Sequence, residues 1–257
     1  MIRVLAFALA GGLVLLAACG GSGDDQAADV TPQATPQATP PWAVQQSELK
    51  GSLGEMVLTK EDLPTSLSWL EPAEDPPEAL QPIIAPERDP LTMQGLPWRP
   101  GSVGPLAGSS WEASAFVGRD GDVWLWSLVT LPADLDTLSA VRRAMIEAAR
   151  LDVAQLRLDI WDSLTKANLG LKPEAVHTGG ARGLGDARFS HGLSLENLEG
   201  EEQYQVEGYA FTRGPVFAVL TVAYRPGTLA KDDGLYLALT FDGKIQQVLK
   251  AAGLLEA

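Results

Sequence analysis

The chain has 257 residues, 46% of them apolar, with 33 acidic against 19 basic residues and a formal charge of −14. So acidic a surface argues against nucleic acid as a partner and against adhesion to anionic lipid. The length suffices for one domain with a sizeable core, and seven Trp, six Phe and four Tyr supply large surfaces to bury.

In chain order, Met1-Ile2-Arg3 carries one fixed positive charge, and Val4 to Ala18 has none. A positive start followed by about fifteen apolar residues is the layout of an export signal, and it is shorter than the roughly twenty residues a spanning helix needs. Leu16-Ala17-Ala18-Cys19 matches all four positions of the lipobox and so resembles the bacterial lipoproteins. The resemblance implies cleavage before Cys19, diacylation of its sulfur and a cell-envelope protein anchored on the extracytoplasmic side of the membrane. Cys19 is the only cysteine, so no disulfide within the chain exists to account for it. Two acyl chains anchor stably where one binds reversibly. Gly20 and Gly21 follow where an Asp is absent, which implies the outer membrane of a two-membrane cell or the outer face of a one-membrane cell. Removing residues 1–18 leaves 18 basic against 33 acidic residues.

Residues 19–41 read as a tether. Gly20 to Gly23 is flexible, and Thr31-Pro32-Gln33-Ala34 repeats as Thr35-Pro36-Gln37-Ala38 before Thr39-Pro40-Pro41. The proline part leans to polyproline II, and its ten residues reach roughly 30 Å at about 3 Å each. It is either a bare spacer or a carrier of O-linked sugar on its Thr-Pro pairs.

Residues 42–257 read as a single α+β domain. In Val57-Leu58-Thr59-Lys60-Glu61-Asp62-Leu63-Pro64, Thr59 caps a single turn and Pro64 ends it. The Pro-rich segment 71–105 holds nine prolines, a density against regular structure, and is either an irregular cover or an unordered insertion. Trp111 to Leu131 is the clearest hairpin, turning at Asp120-Gly121. That turn sets Val117 opposite Trp124, Ala115 opposite Trp126 and Trp111 opposite Thr130. From Asp134 to Leu169 the apolar residues recur every three or four positions, as one long amphipathic helix or as two joined near Arg150-Leu151-Asp152. Its apolar stripe needs a surface, and the Trp face of the hairpin offers one.

Thr178 to Asp186 is a glycine-rich turn without a phosphate-loop ending or a following helix. Ala187–Leu193, Glu202–Thr212 and Pro215–Tyr224 read as strands, with a tight turn at Arg213-Gly214. The last is apolar on both faces and belongs in the middle of the sheet. Asp232 or Asp233 starts a final helix, closed by Gly253. The expected fold is an antiparallel sheet packed against the long amphipathic helix and a C-terminal helix. Leu58-Thr59-Lys60-Glu61-Asp62-Leu63-Pro64 and Gly183-Leu184-Gly185-Asp186 resemble phrases of the PsbP/Mog1-like and kinase-ectodomain lipoprotein group, which implies the same fold class and no diagnostic catalytic residue.

Chemistry is sparse. There is no Gly-x-Ser-x-Gly elbow and no His-Glu-x-x-His, and Cys19 is spent on the anchor. Ser190, His191 and Asp186 form the one conceivable nucleophile set, against the plainer reading of His191 as a surface or capping residue at a strand end. Asp120-Gly121-Asp122 lacks the twelfth-position Glu of a calcium loop, and no cofactor or metal site is expected. Trp111, Trp124 and Trp126 share one face, as an aromatic platform for a sugar or peptide or as core beneath the helix. The function read from these residues is a non-enzymatic, lipid-anchored extracytoplasmic domain that binds a partner protein or small molecule. An envelope hydrolase of unrecognised type is the alternative.

Overall fold

A computed structural model describes residues 41–74, 106, 108–118, 120–150, 152–166, 170–230 and 232–255. Cys19, the tether before Pro41 and residues 75–105 of the Pro-rich segment lie outside the described residues. Seven antiparallel strands form one sheet in the order β1-β2-β3-β7-β6-β5-β4. They are β1 (Glu71–Pro72), β2 (Ser110–Val117), β3 (Val123–Leu131), β4 (Leu171–Gly179), β5 (Ala187–Asn197), β6 (Glu202–Arg213) and β7 (Val216–Tyr224). Among the described residues five α-helices flank it: α1 (Pro41–Lys50), α2 (Leu53–Met56), α3 (Leu135–Ala148), α4 (Val153–Lys166) and α5 (Asp233–Ala251). The α+β class expected from the sequence is the fold observed.

The alternation of each strand sorts its side chains onto two faces. Leu125, Val129, Leu220 and Val222 point to the front, where they bury against α2 and α5. Trp124, Leu193, Val206 and Ala223 point to the back, under Ile160 and Leu164 of α4. Leu128, Phe189 and Val219 join them there, under Val141 and Met145 of α3. β7 is buried at all nine positions, as expected of a two-faced apolar strand. Leu237, Phe241, Ile245 and Leu249 of α5 are fully buried, each contributing about 1.5–3 kcal/mol by removal from water.

The first hairpin has the register that Asp120-Gly121 implies: Val117 pairs Trp124, Ala115 pairs Trp126 and Trp111 pairs Thr130. The amphipathic run is two helices, Leu135–Ala148 and Val153–Lys166, and Asp134 caps the first by accepting from the Thr137 amide at 2.7 Å; residues 151 and 167–169 of the run lie outside the described residues.

Four expectations need correction. The turn between β6 and β7 is Gly214-Pro215, because Arg213 pairs Val216; Gly214 takes φ 52°, and Pro215 has no amide to give. Glu71-Pro72, at the start of the Pro-rich segment, is a strand against Val117 and Phe116, because proline is tolerated at a sheet edge. Pro41 begins a helix, where its missing amide costs nothing. Leu171–Gly179 is an edge strand that Pro173 and Glu174 disguise, and the ladder slips between Pro173 and Ala175.

Segments 58–64 and 183–186 each dock a loop on α5. Ser114 Oγ donates to the Leu58 carbonyl at 2.6 Å, and Ser127 Oγ accepts from the Leu58 amide at 3.2 Å, clamping that segment to the front face. Thr59 and Asp62 then close their own turn, and Lys244 of α5 pairs with Asp62. In segment 183–186, Gly185 has φ 44°, and a Cβ there would lie 2.5 Å from the Thr212 carbonyl oxygen. Its amide donates to Asp242 of α5 at 3.2 Å. Asp242 is 1% exposed and receives Arg213 Nε at 2.9 Å and Gln246 at 3.1 Å, so this buried charge is paired and bonded.

Candidate functional site

Tyr204-Gln205-Val206-Glu207-Gly208-Tyr209 alternates along β6, so Glu207 and Tyr209 share the front face. The β6–β7 register sets Val222 opposite Glu207 and brings Tyr224 in diagonally. The Tyr209 hydroxyl donates to Glu207 Oε2 and the Tyr224 hydroxyl to Glu207 Oε1, both at 2.7 Å. Burial, followed by the hydrogen bond to Glu207, pushes the Tyr209 phenol far above its ordinary range, so it stays a donor at any physiological pH. The first turn of α5 closes over the carboxylate: a Cβ on Gly234 would lie 2.2 Å from Glu207 Oε2. Only glycine permits that approach.

On the next strand the position opposite Glu207 is Gly192, and opposite Gly192 is His177 of β4. A Cβ on Gly192 would fall 1.9 Å from His177 Cε1, so the imidazole lies flat over the glycine, on the open side of Glu207. His177 is exposed. Beyond it the front face of β4 and β5 carries Ser190, Ser194 and Glu174, with Ser194 Oγ donating to Glu174 at 3.0 Å. Half of the front face is thus apolar under α5 and half is polar and open. Glu207, half-buried, sits at the border.

This arrangement suits a cation. Each carboxylate oxygen accepts one tyrosine proton and keeps a further lone pair for an outside donor. Two phenol rings border the site, and aromatic faces attract ammonium and guanidinium groups. Among the described residues, no group of three His, Cys, Asp or Glu could hold a metal ion.

The back face holds a second histidine, and the expectation of a surface or capping residue at a strand end is corrected there. His191 is mid-strand and 7% exposed, stacked on Phe189 with ring centroids 6.0 Å apart. A Cβ on Gly208 would meet its ring at 1.9 Å. Among the described residues neither ring nitrogen has a hydrogen-bond partner. Burial, helped by the charge of His177, lowers its pKa to about 4. Ser190 and His191 point to opposite faces, and Asp186 is engaged by Arg213 at 3.3 Å and by the Gly214 amide at 2.7 Å. The three are not brought together.

Of the three tryptophans expected on one face, Trp124 is 4% exposed and packs with Ile160 and Leu164. Trp126 is partly buried against both back-face clusters. Trp111 is 49% exposed at the free start of β2. Glu207, Tyr209 and Tyr224 escaped the sequence reading. The signal was a lone Glu inside an apolar alternation, but locating Tyr224 beside it requires the true β6–β7 turn.

Among the described residues no helix is long and apolar enough to cross a membrane. No family model and no curated relative matches the chain. Among solved structures, the extracellular domain of PknH from Mycobacterium tuberculosis is similar at 11% identity, over 77% of this chain and 96% of that one, with a TM-score of 0.45. Cyanobacterial PsbP (CyanoP) from Synechocystis sp. PCC 6803 is similar at 9% identity, over 51% of this chain and 79% of that one, with a TM-score of 0.29. Both resemblances are weak and carry no argument about activity.

Proposed function

We propose that this chain is a lipid-anchored extracytoplasmic binding domain that captures a basic group, an amine or guanidinium of a peptide or small molecule, at Glu207. The observation that carries the reading is the carboxylate held by two tyrosine hydroxyls at the edge of an open polar half-sheet. The fixed phenols preorganise the anion, so little ordering remains to oppose a ligand. The overall charge of −14 draws cations toward it. Lipobox residues Leu16 to Cys19 and the Thr-Pro tether support the anchored, extracytoplasmic placement. The hydrolase alternative draws no support from Ser190 and His191, which lie on opposite sides of the sheet.

The test is calorimetric titration of the chain with a tetralysine peptide at 150 mM salt, beside Glu207→Gln and Tyr224→Phe. Saturable binding weakened about tenfold or more by Glu207→Gln supports the reading, about 1.4 kcal/mol for one charge-assisted contact. Equal binding by wild type and Glu207→Gln assigns any affinity to diffuse acidic charge and refutes the site.

A further inference from the structure

We propose that the end of the sheet where the tether enters is a membrane-contact surface, and that its occupant is the lipid–water interface to which Cys19 is anchored. The inference rests on the lipid-anchor reading. It adds an orientation for the domain and a second, apolar attachment.

Where the preceding chain joins the domain is fixed by α1. Trp42 Nε1 donates to the Ala133 carbonyl at 3.4 Å, and Gln46 donates to the same carbonyl at 2.8 Å. Ala133 stands between the end of β3 and the start of α3, so α1 begins at the end of the sheet where β3 ends and β2 starts. The same end carries exposed apolar groups from three separate elements: Val44 of α1 at 42%, Trp111 of β2 at 49% and Leu135 of α3 at 55%. α3 adds a fourth. Arg142 reaches the Gly214 carbonyl in the β6–β7 turn at 3.1 Å, which turns that flank of α3 toward this end of the sheet. Ile146, one turn on, is 48% exposed, and Arg143 beside it is exposed as well. Aliphatic, tryptophan and arginine side chains together form the composition that settles at the boundary between headgroups and acyl chains.

Carboxylates lie at both ends of the sheet: Asp134, Asp136 and Asp186 are exposed at the tether end, where they would sit among the headgroups. Asp120 and Asp122 lie in the β2–β3 turn, and Glu196, Glu199 and Glu201 lie at the β5–β6 turn. Both turns are at the opposite end of the sheet. With the tether end against the bilayer, the carboxylates of these two turns face away from it. Tether length favours the contact. Gly20 to Pro40 is 21 residues, which cannot reach beyond roughly 70 Å, so the domain stays close to the surface that holds Cys19. A tether of that length holds the domain at about millimolar effective concentration over the surface. Four apolar side chains that would bind a bilayer only weakly from solution then remain seated for much of the time. The attachment is apolar, so it does not need anionic lipid.

The test uses the chain from Cys19 onward, with its sole thiol coupled to a maleimide phospholipid in phosphatidylcholine vesicles. The anchor is thus supplied whatever the cell does. The readout is quenching of tryptophan emission by brominated acyl chains. We expect quenching that falls by at least half in Trp42→Phe/Trp111→Phe, persists in Trp161→Phe, and is lost in Val44→Asp/Leu135→Asp, which keeps all the tryptophans. It should change little between 50 and 500 mM salt. Quenching absent from the coupled wild type, or reduced by Trp161→Phe and not by Trp42→Phe/Trp111→Phe, overturns the proposal. The anchor reading fails separately, if native Cys19 carries no acyl mass.

Discussion

The buried imidazole of His191 makes a sharp prediction about acid. Its folded pKa is about 4 against an ordinary value of 6.5. Below pH 6.5 the unfolded chain takes up a proton that the folded chain refuses until about pH 4. Stability from this group is therefore complete above pH 6.5 and is lost progressively as the pH falls from 6.5 to 4. At 1.36 kcal/mol per pH unit the whole loss is about 3 kcal/mol, a large share of the 5–15 kcal/mol that holds an ordinary domain. Among the described residues no neighbour relieves it. Phe189 and Gly208 flank the ring, and the described core positions of α3 and α4 above the back face are apolar. The one titratable group acting on it is His177, across the sheet, which adds repulsion. The variant is His191→Leu, and the assay is urea unfolding followed by tryptophan emission at pH 7.5, 6.5, 5.5 and 4.5. The wild type should lose about 2.5 kcal/mol more than the variant between the first and last points. Carboxylates held low in both proteins, such as Asp62 against Lys244, cancel in the difference. At pH 7.5 the variant should be at least as stable, since it removes two unpartnered nitrogens that cost about 1–3 kcal/mol each when buried. Parallel slopes for the two proteins would refute the reasoning.

Gly192→Ala should lower stability by about 1–3 kcal/mol and raise the solvent exposure of His177, read by urea unfolding and by the His177 NMR signals, because the new methyl displaces a ring 1.9 Å away. Asp242→Asn should cost about 1–3 kcal/mol, because Arg213 loses its buried charge partner and keeps only the exposed Asp186, while Asp242→Asn/Arg213→Met should recover part of that loss.

Most of the sheet could be read from the sequence because its strands announce themselves twice, by alternation and by their turns. Asp120-Gly121 fixed one register, and the double apolar face of β7 fixed its central place. β4 was illegible because an edge strand needs no apolar pattern, and Pro173 with Glu174 breaks the one it has. His191 was misplaced for a related reason. A histidine between serine and glycine reads as polar surface until Gly208, a residue on another strand, makes room for its ring. The Glu207 site was hidden by distance: its parts come from β4, β6, β7 and α5, and only the pairing register gathers them.

The strand order carries a consequence for how the chain reaches this state. β2 and β3 form a local hairpin, and β4 to β7 form a local meander, yet the two halves meet only where β3 pairs with β7. Val123 finds Tyr224 there, about a hundred residues later. Closing so long a loop precedes the contacts that reward it, which slows folding of sheets of this kind. Until β7 arrives, the β2–β3 hairpin has one open edge and an uncovered tryptophan face, the conditions under which chains pair with copies of themselves. The β3–β7 seam is therefore where folding is decided, and the step at which a newly made chain is most exposed to misassembly.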